Sequence, residues 1–117
     1  MSMKHQAVLK EDWGGHTVFV NPPYGRAIKD WVKKCYEESL KPNTRIVMLI
    51  PARTDTIYFH KYIYDIAKEI RFIKGRLKFG GCRYSAPFPS MIVVFWFVFQ
   101  RVIERDEDYE TKIYKRV

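Results

Sequence analysis

"TVFVNPPYGRAIKDW" occupies residues 17–31. Four strand-forming residues, Thr17 to Val20, run into Asn-Pro-Pro-Tyr-Gly, and a helical pattern follows. Pro22 and Pro23 carry no N–H and have a fixed φ, so the strand ends at Asn21 and the turn cannot close on itself through those nitrogens. From Ala27 onward the apolar residues are Ala27, Ile28, Trp31, Val32, Cys35 and Tyr36. That spacing is one face of a helix. Lys29, Asp30, Lys33, Lys34, Glu37 and Glu38 fill the other face, where Lys33–Glu37 and Lys34–Glu38 read as i,i+4 pairs in water. "KPN" (41–43) stops the helix, because proline cannot continue it.

Working outward, "TRIVMLI" (44–50) reads as a strand covered on both faces, as in parallel sheets. "PARTD" (51–55) follows. A second amphipathic helix is then expected from Thr56 to Glu69, with Phe59, Tyr62, Ile63, Ile66 and Ala67 inward and Thr54 or Asp55 as its N-cap. "IRFIK" (70–74) reads as a third strand and "GRLKFGGCRYSAPFPS" (75–90) as a long basic loop. Met91–Phe99 reads as a fourth strand, apolar throughout and therefore central. Residues 1–16 read as polar with a "WGG" turn, and residues 100–117 as a charged tail, frayed or forming a small exposed element. The result is one α/β domain over residues 1–117. Its order is β-α-β-α-β-β, mostly parallel with an antiparallel last strand and right-handed crossovers.

At 47% hydrophobic residues the chain can build a real core. A net charge of +8 favours a polyanionic partner, nucleic acid first, with simple solubility as the alternative. The N-terminus lacks the apolar core of a signal peptide, and Met91–Phe99 is about half of the ~18 residues a membrane span needs. A cytoplasmic, reducing setting with Cys35 and Cys82 free is the expectation, with no membrane. His5, His16 and His60 are scattered, so no metal site is expected.

Parallel strands point the same way, so "NPPYG" and "PARTD" should emerge together at the carboxyl edge, where open α/β sheets bind ligands. Asn21 offers a side-chain carbonyl, the two prolines a stiff backbone with free carbonyls, and Tyr24 a flat ring. Two acceptors and a platform suit an amino group on a planar base. The alternative is a rigid turn with Tyr24 packed in the core. Arg53 is placed to contact a phosphate or to pair with Asp55. Arg76, Lys78 and Arg83 would track a nucleic-acid backbone or form a solvated basic loop. Phe79, Tyr84 and Phe88 would stack on bases or plug a core edge, while Trp31, Trp96 and the phenylalanines of 95–99 read as core.

"WGGHTVFVNPPYGRAIKDWVKK", "VMLIPARTDTIYFH", "IRFIKGRLKFGG" and "APFPSMIVVF" together resemble the phage-type DNA N6-adenine methyltransferases, over Asp12 to Phe99. That resemblance implies part of a Rossmann-like (class I methyltransferase) sheet and S-adenosylmethionine as the methyl donor. It implies double-stranded DNA as partner, with the target adenine flipped into a pocket. Asn21 to Tyr24 would be catalytic. The Asn21 side-chain oxygen and the Pro22 carbonyl would accept the two N6 hydrogens, drawing the lone pair out of conjugation, and Tyr24 would stack on the base. The lone pair would attack the methyl group in line, with no role for a cysteine. Arg26, beside the motif, joins Arg53, Arg76, Lys78 and Arg83 as a DNA-binding candidate.

The family's cofactor half is expected before the "NPPY" block, but 20 residues precede Asn21 and a parallel crossover alone takes a dozen or more. No G-x-G occurs. The expectation is a C-terminal, target-recognising half, with cofactor-binding residues unassigned and the main S-adenosylmethionine pocket not encoded. The strand Thr17–Val20 would then be an unpaired edge, inviting a homodimer or a separate N-terminal partner. Two rivals stand beside a truncated or split enzyme: a catalytically silent nucleic-acid-binding remnant of the same fold, and an unrelated α/β interaction domain with an accidental turn.

Overall fold

The computed structural model describes residues 3–78, 85–99 and 114–116. In chain order they form α1 (Met3–Leu9), β1 (Thr17–Val20), α2 (Ile28–Ser39), β2 (Arg45–Pro51), one π-helical segment (Phe59–Ile63), β3 (Glu69–Phe72), β4 (Ser90–Phe99) and β5 (Tyr114–Arg116). The sheet order is β1-β2-β4-β3, with β5 paired to the last residues of β4. β1 and β2 are parallel, Thr17 beside Arg45 and Val20 beside Met48. β4 runs antiparallel to both β2 and β3. Four strands (β1, β2, β3 and β5) therefore share a direction and β4, which is central, opposes them, so β1–β2 is the one parallel pairing among the described strands and the expected mostly parallel pairing is not what forms. The mixed α/β class, the parallel first pair and the antiparallel last long strand follow the sequence pattern. Among the described residues no helix is long and apolar enough to cross a membrane.

α2 forms where the apolar spacing places it. Ile28, Trp31, Val32 and Cys35 are buried, and the helix ends before Pro42 and Asn43, whose φ of +55° is left-handed. Its inner face meets Ile46, Met48 and Ile50 of β2 and Met91, Val93 and Phe95 of β4, all fully buried.

Three local features differ from the sequence pattern. The second helix does not run from Thr56 to Glu69: Tyr64 N–H donates to Phe59 C=O at 2.7 Å, then Tyr64 is extended and Asp65 left-handed (φ +59°). The segment is rich in Thr, Ile, Tyr and Phe, which are weak helix formers, and aspartate tolerates the left-handed bend. Its inward face is nevertheless the expected one, with Phe59 and Ile63 buried and Tyr62, Ile66 and Ala67 packed against the core. Thr56, rather than Thr54 or Asp55, caps it, its hydroxyl accepting Phe59 N–H at 3.3 Å.

β2 and β4 are also not covered equally on both faces. Ile46, Met48 and Ile50 are buried, whereas Val47, Leu49, Ile92, Val94 and Trp96 are only half-buried. α2 and the π-helical segment touch each other and so lie on one side of the sheet. Finally, residues 3–9 form a helix, which their polar composition did not signal.

The segment before β1 is tied down by a buried carboxylate. Trp13 N–H donates to Glu38 Oε1 at 2.6 Å, Lys41 Nζ lies 2.8 Å from Glu38 Oε2 and from Asp12 Oδ1, and Lys34 reaches Glu38 at 3.5 Å. Lys34 also donates to Glu11 C=O and sits 5.0 Å over the Trp13 ring. What reads in sequence as a solvated i,i+4 pair is a clamp.

Burial pushes the Glu38 carboxyl up, but hydrogen bonds from Lys41 and Trp13 and the Lys34 charge outweigh it and hold the group below its ordinary value. The folded state thus binds this proton less readily than the unfolded one. The clamp is complete above the usual glutamate value of about 4.3 and is lost as pH falls below it. Glu38→Ala should cost roughly 1–3 kcal/mol by stranding Trp13 N–H. In urea titrations from pH 6 to pH 3, Glu38→Gln should flatten the wild-type fall in midpoint.

Candidate functional site

Three chain segments meet at the carboxyl edge of β1 and β2. Asn21–Gly25 leaves β1, Ala52–Asp55 leaves β2, and Ser85–Pro89 enters β4, whose antiparallel course starts at that edge. Backbone bonds lock them: Ala52 N–H to Pro89 C=O (2.8 Å), Ile73 N–H to Ser90 C=O (2.9 Å) and Ala86 N–H to Leu77 C=O (2.7 Å). The last folds the long basic loop back on itself and brings Ser85–Phe88 over the prolines.

Between them lies a cavity of about 620 Å³, lined by Asn21–Tyr24, Ser85–Phe88, Trp31 of α2 and His5 of α1. Small-molecule sites have this size. Pro22 is buried, Tyr24 half-buried and Asn21 exposed. Tyr24 O–H donates to Asn21 Oδ1 at 3.2 Å, and the Tyr24 ring meets Phe88 edge-on at 5.4 Å and 77°. Burial pushes the Tyr24 phenol up, so it stays a protonated donor. Among the described residues no backbone N–H reaches the Pro22 carbonyl. Trp31 Nε1 is buried and finds no acceptor there, and His5 packs edge-on to the Trp31 ring at 5.9 Å. The cavity wall thus carries the Asn21 amide, the Pro22 backbone, an indole N–H without an acceptor among the described residues, and aromatic surface.

His5 was not legible as a lining residue, because the helix that carries it was not. Trp31 was expected in the core, and it is there while also forming part of the cavity. Arg26 and Arg53 are exposed beside a neighbouring cavity that shares Tyr24 and Phe88. Arg53 pairs with no carboxylate, Asp55 included, among the described residues; its guanidinium lies 5.7 Å over Phe88. Arg76 and Lys78 are exposed on either side of Leu77, on the loop limb opposite Ala86. Arg83, Phe79, Tyr84 and Cys82 lie outside the described residues, as does most of the charged tail, 100–117.

The DNA N-6-adenine-methyltransferase (Dam) family matches residues 1–105. This chain belongs to that family. The match extends beyond Asp12–Phe99 at both ends and brings with it, at family level, DNA adenine methylation, DNA as substrate and a methyl donor of the S-adenosylmethionine type. Searches of curated proteins and of solved structures found no match.

A groove of about 790 Å³ follows the outer side of β1 in this Dam-family chain, from Glu11 and Asp12 past His16 to Asn21 and Trp31. The Asp12 carboxylate in it is already engaged, by Lys41 Nζ and by Gly14 N–H, each at 2.8 Å. Gly14 and Gly15 precede a strand instead of opening a helix after one. Among the described residues, the groove and the cavity share Asn21 and Trp31.

Cys35 is fully buried in α2, and burial pushes its thiol up. It should therefore resist thiol reagents in the native chain at pH 8 and react only on unfolding, as peptide mapping of the labelled site will show.

Proposed function

We propose that the chain supplies the base-gripping side of an S-adenosylmethionine-dependent DNA adenine-N6 methyltransferase of phage type. The observation that carries this is the meeting of Asn21, Pro22 and Tyr24 with Phe88 around one cavity at the strand ends. Asn21 Oδ1 keeps a second lone pair while it accepts Tyr24 O–H, so an incoming amino group has a place to donate. The Pro22 carbonyl is the second acceptor. Together they pull the N6 hydrogens into the plane of the acceptors and turn the nitrogen lone pair away from the ring. Tyr24 holds the base face, and Phe88 buttresses Tyr24 edge-on. Arg26, Arg53, Arg76, Lys78 and Arg83 hold the phosphate backbone, which carries affinity and not sequence.

The methyl donor brings an electrophilic carbon; this chain's residues hold the base and ready its nitrogen. The bulk of the donor pocket belongs to groups beyond those described, making this the target-recognising half of a Rossmann-like sheet. The incomplete groove beside β1 also favours a second reading, a silent DNA-binding remnant. Asn21→Ala separates them. In the first reading it lowers methyl transfer to adenine by about a hundredfold or more, the scale of losing one preorganised polar contact, while DNA affinity stays within twofold. In the second, wild type binds DNA in a salt-sensitive way and transfers no methyl group, with or without a complementing chain. Absence of DNA binding at low salt would sink both.

The edge of β1, unpaired among the described residues and carrying Phe19 at 78% exposure, is the proposed seat of a second copy or a complementing chain. Light scattering should show a mass rising from 14.0 kDa toward twice that with concentration, and Phe19→Lys should abolish the rise. A constant monomer mass would rule out the homodimer.

A further inference from the structure

A second cavity, of about 420 Å³, lies across Tyr24 and Phe88 from the first and shares both side chains with it. Arg26 and Arg53 border it, and neither forms an ion pair among the described residues. Thr56 and Tyr58 complete its polar lining, and among the described residues no carboxylate lines it. The Tyr58 side chain is more than nine-tenths buried, at 8% exposure, yet its hydroxyl closes no hydrogen bond of standard geometry. Thr56 is the near neighbour, but its hydroxyl already donates to Arg53 C=O at 2.9 Å and accepts Phe59 N–H at 3.3 Å. Burial, with a smaller contribution from the Asp55 carboxylate, raises the Tyr58 phenol, while Thr56 and the Arg53 charge pull less strongly the other way, so it remains a donor.

The side chains lining it therefore present two guanidinium groups and a buried phenol O–H that closes no hydrogen bond, with Asp55 near but outside the lining. A buried donor of this kind calls for an acceptor from outside. Guanidinium groups suit a tetrahedral oxyanion with several acceptors, because their fork can engage two oxygens at once. The shared wall fixes where that anion sits: across Tyr24 from the ring it accompanies.

We propose that this cavity binds the phosphate attached to the nucleotide whose base occupies the first cavity. Arg53 and Arg26 neutralise it and Tyr58 O–H donates to a non-bridging oxygen. This rests on the first cavity being a base site. It adds that base and phosphate are gripped as one unit, with the phosphate held by the "PARTD" loop and the residues after it. In the enzyme the phosphate is that of the DNA backbone.

The test titrates the full chain, followed by NMR, with deoxyadenosine, with dAMP and with inorganic phosphate. Wild type should bind dAMP at least tenfold more tightly than deoxyadenosine. Arg53→Gln should erase that preference, Tyr58→Phe should reduce it severalfold, and Tyr24→Ala should weaken binding of both deoxyadenosine and dAMP. Arg53 is exposed and Tyr58→Phe removes one oxygen, so both variants should fold; far-UV circular dichroism checks this.

Equal affinity for dAMP and deoxyadenosine in wild type overturns the phosphate cavity and leaves the base site standing. Inorganic phosphate shifting the same residues while deoxyadenosine shifts none keeps the phosphate cavity and removes the base reading. No response to any of the three overturns both. A short duplex with one methylphosphonate beside the target adenine settles the source. Its affinity should drop severalfold in wild type and be unchanged in Arg53→Gln; no drop in wild type means that the cavity serves free nucleotides and overturns the backbone assignment.

Discussion

The candidate site depends on the parallel register of a four-residue strand. Thr17–Val20 lies beside Arg45–Met48, and a slip by one residue would turn Val18 and Val20 outward and rotate the proline turn away from the edge. The register is pinned from both sides. Upstream, Arg45 N–H donates to His16 C=O at 3.0 Å and Gly15 N–H to the buried Thr44 hydroxyl at 2.8 Å, with Gly15 in the left-handed region (φ +82°). Downstream, Pro22 and Pro23 cannot extend the ladder. The clamp of Glu38, Lys41 and Trp13 holds the approach to that strand, so a salt-bridge cluster on the far end of α2 acts on the site through register.

From that register the rest of the edge follows. A strand parallel to β1 delivers Arg53, and a strand antiparallel to it delivers Phe88 from the opposite chain direction, so one edge gathers loops from three parts of the sequence. The aromatic pair Tyr24–Phe88 stands where those loops meet and divides the edge into two chambers. Acceptors lie on one side of the divide and cations on the other. Beyond Asn21 runs the groove beside β1, whose Asp12 carboxylate is already engaged by Lys41.

Much of this was legible in the sequence. The strand Thr17–Val20, the helix after it and the shared exit of "NPPYG" and "PARTD" follow from proline chemistry and apolar spacing, both local properties. The central position of β4 was readable from its unbroken apolar run. What was not legible depends on contacts between distant residues. The second helix collapses to a single segment because aromatic side chains prefer the core to the helical lattice, and a period of 3.6 fits the inner face of either. Glu38 looks like any surface glutamate until Trp13, 25 positions away, is brought to it. The half-open face of the sheet was hidden because a run such as "IVMLI" is equally apolar whether one side or two are covered. The cavity's Ser85–Phe88 lining depends on the Leu77–Ala86 hydrogen bond, which no short-range pattern announces.

The half-covered sheet bears on how the molecule behaves in solution. Phe19, Val47, Leu49, Ile92 and Val94 make one side of the sheet adhesive, while a charge of +8 keeps copies apart. Both influences answer to ionic strength. At 1 M salt the screening length falls to about 3 Å, which frees a basic chain from bound nucleic acid and also removes the repulsion between copies. The wash that strips nucleic acid from such a preparation is thus the same wash that invites it to self-associate.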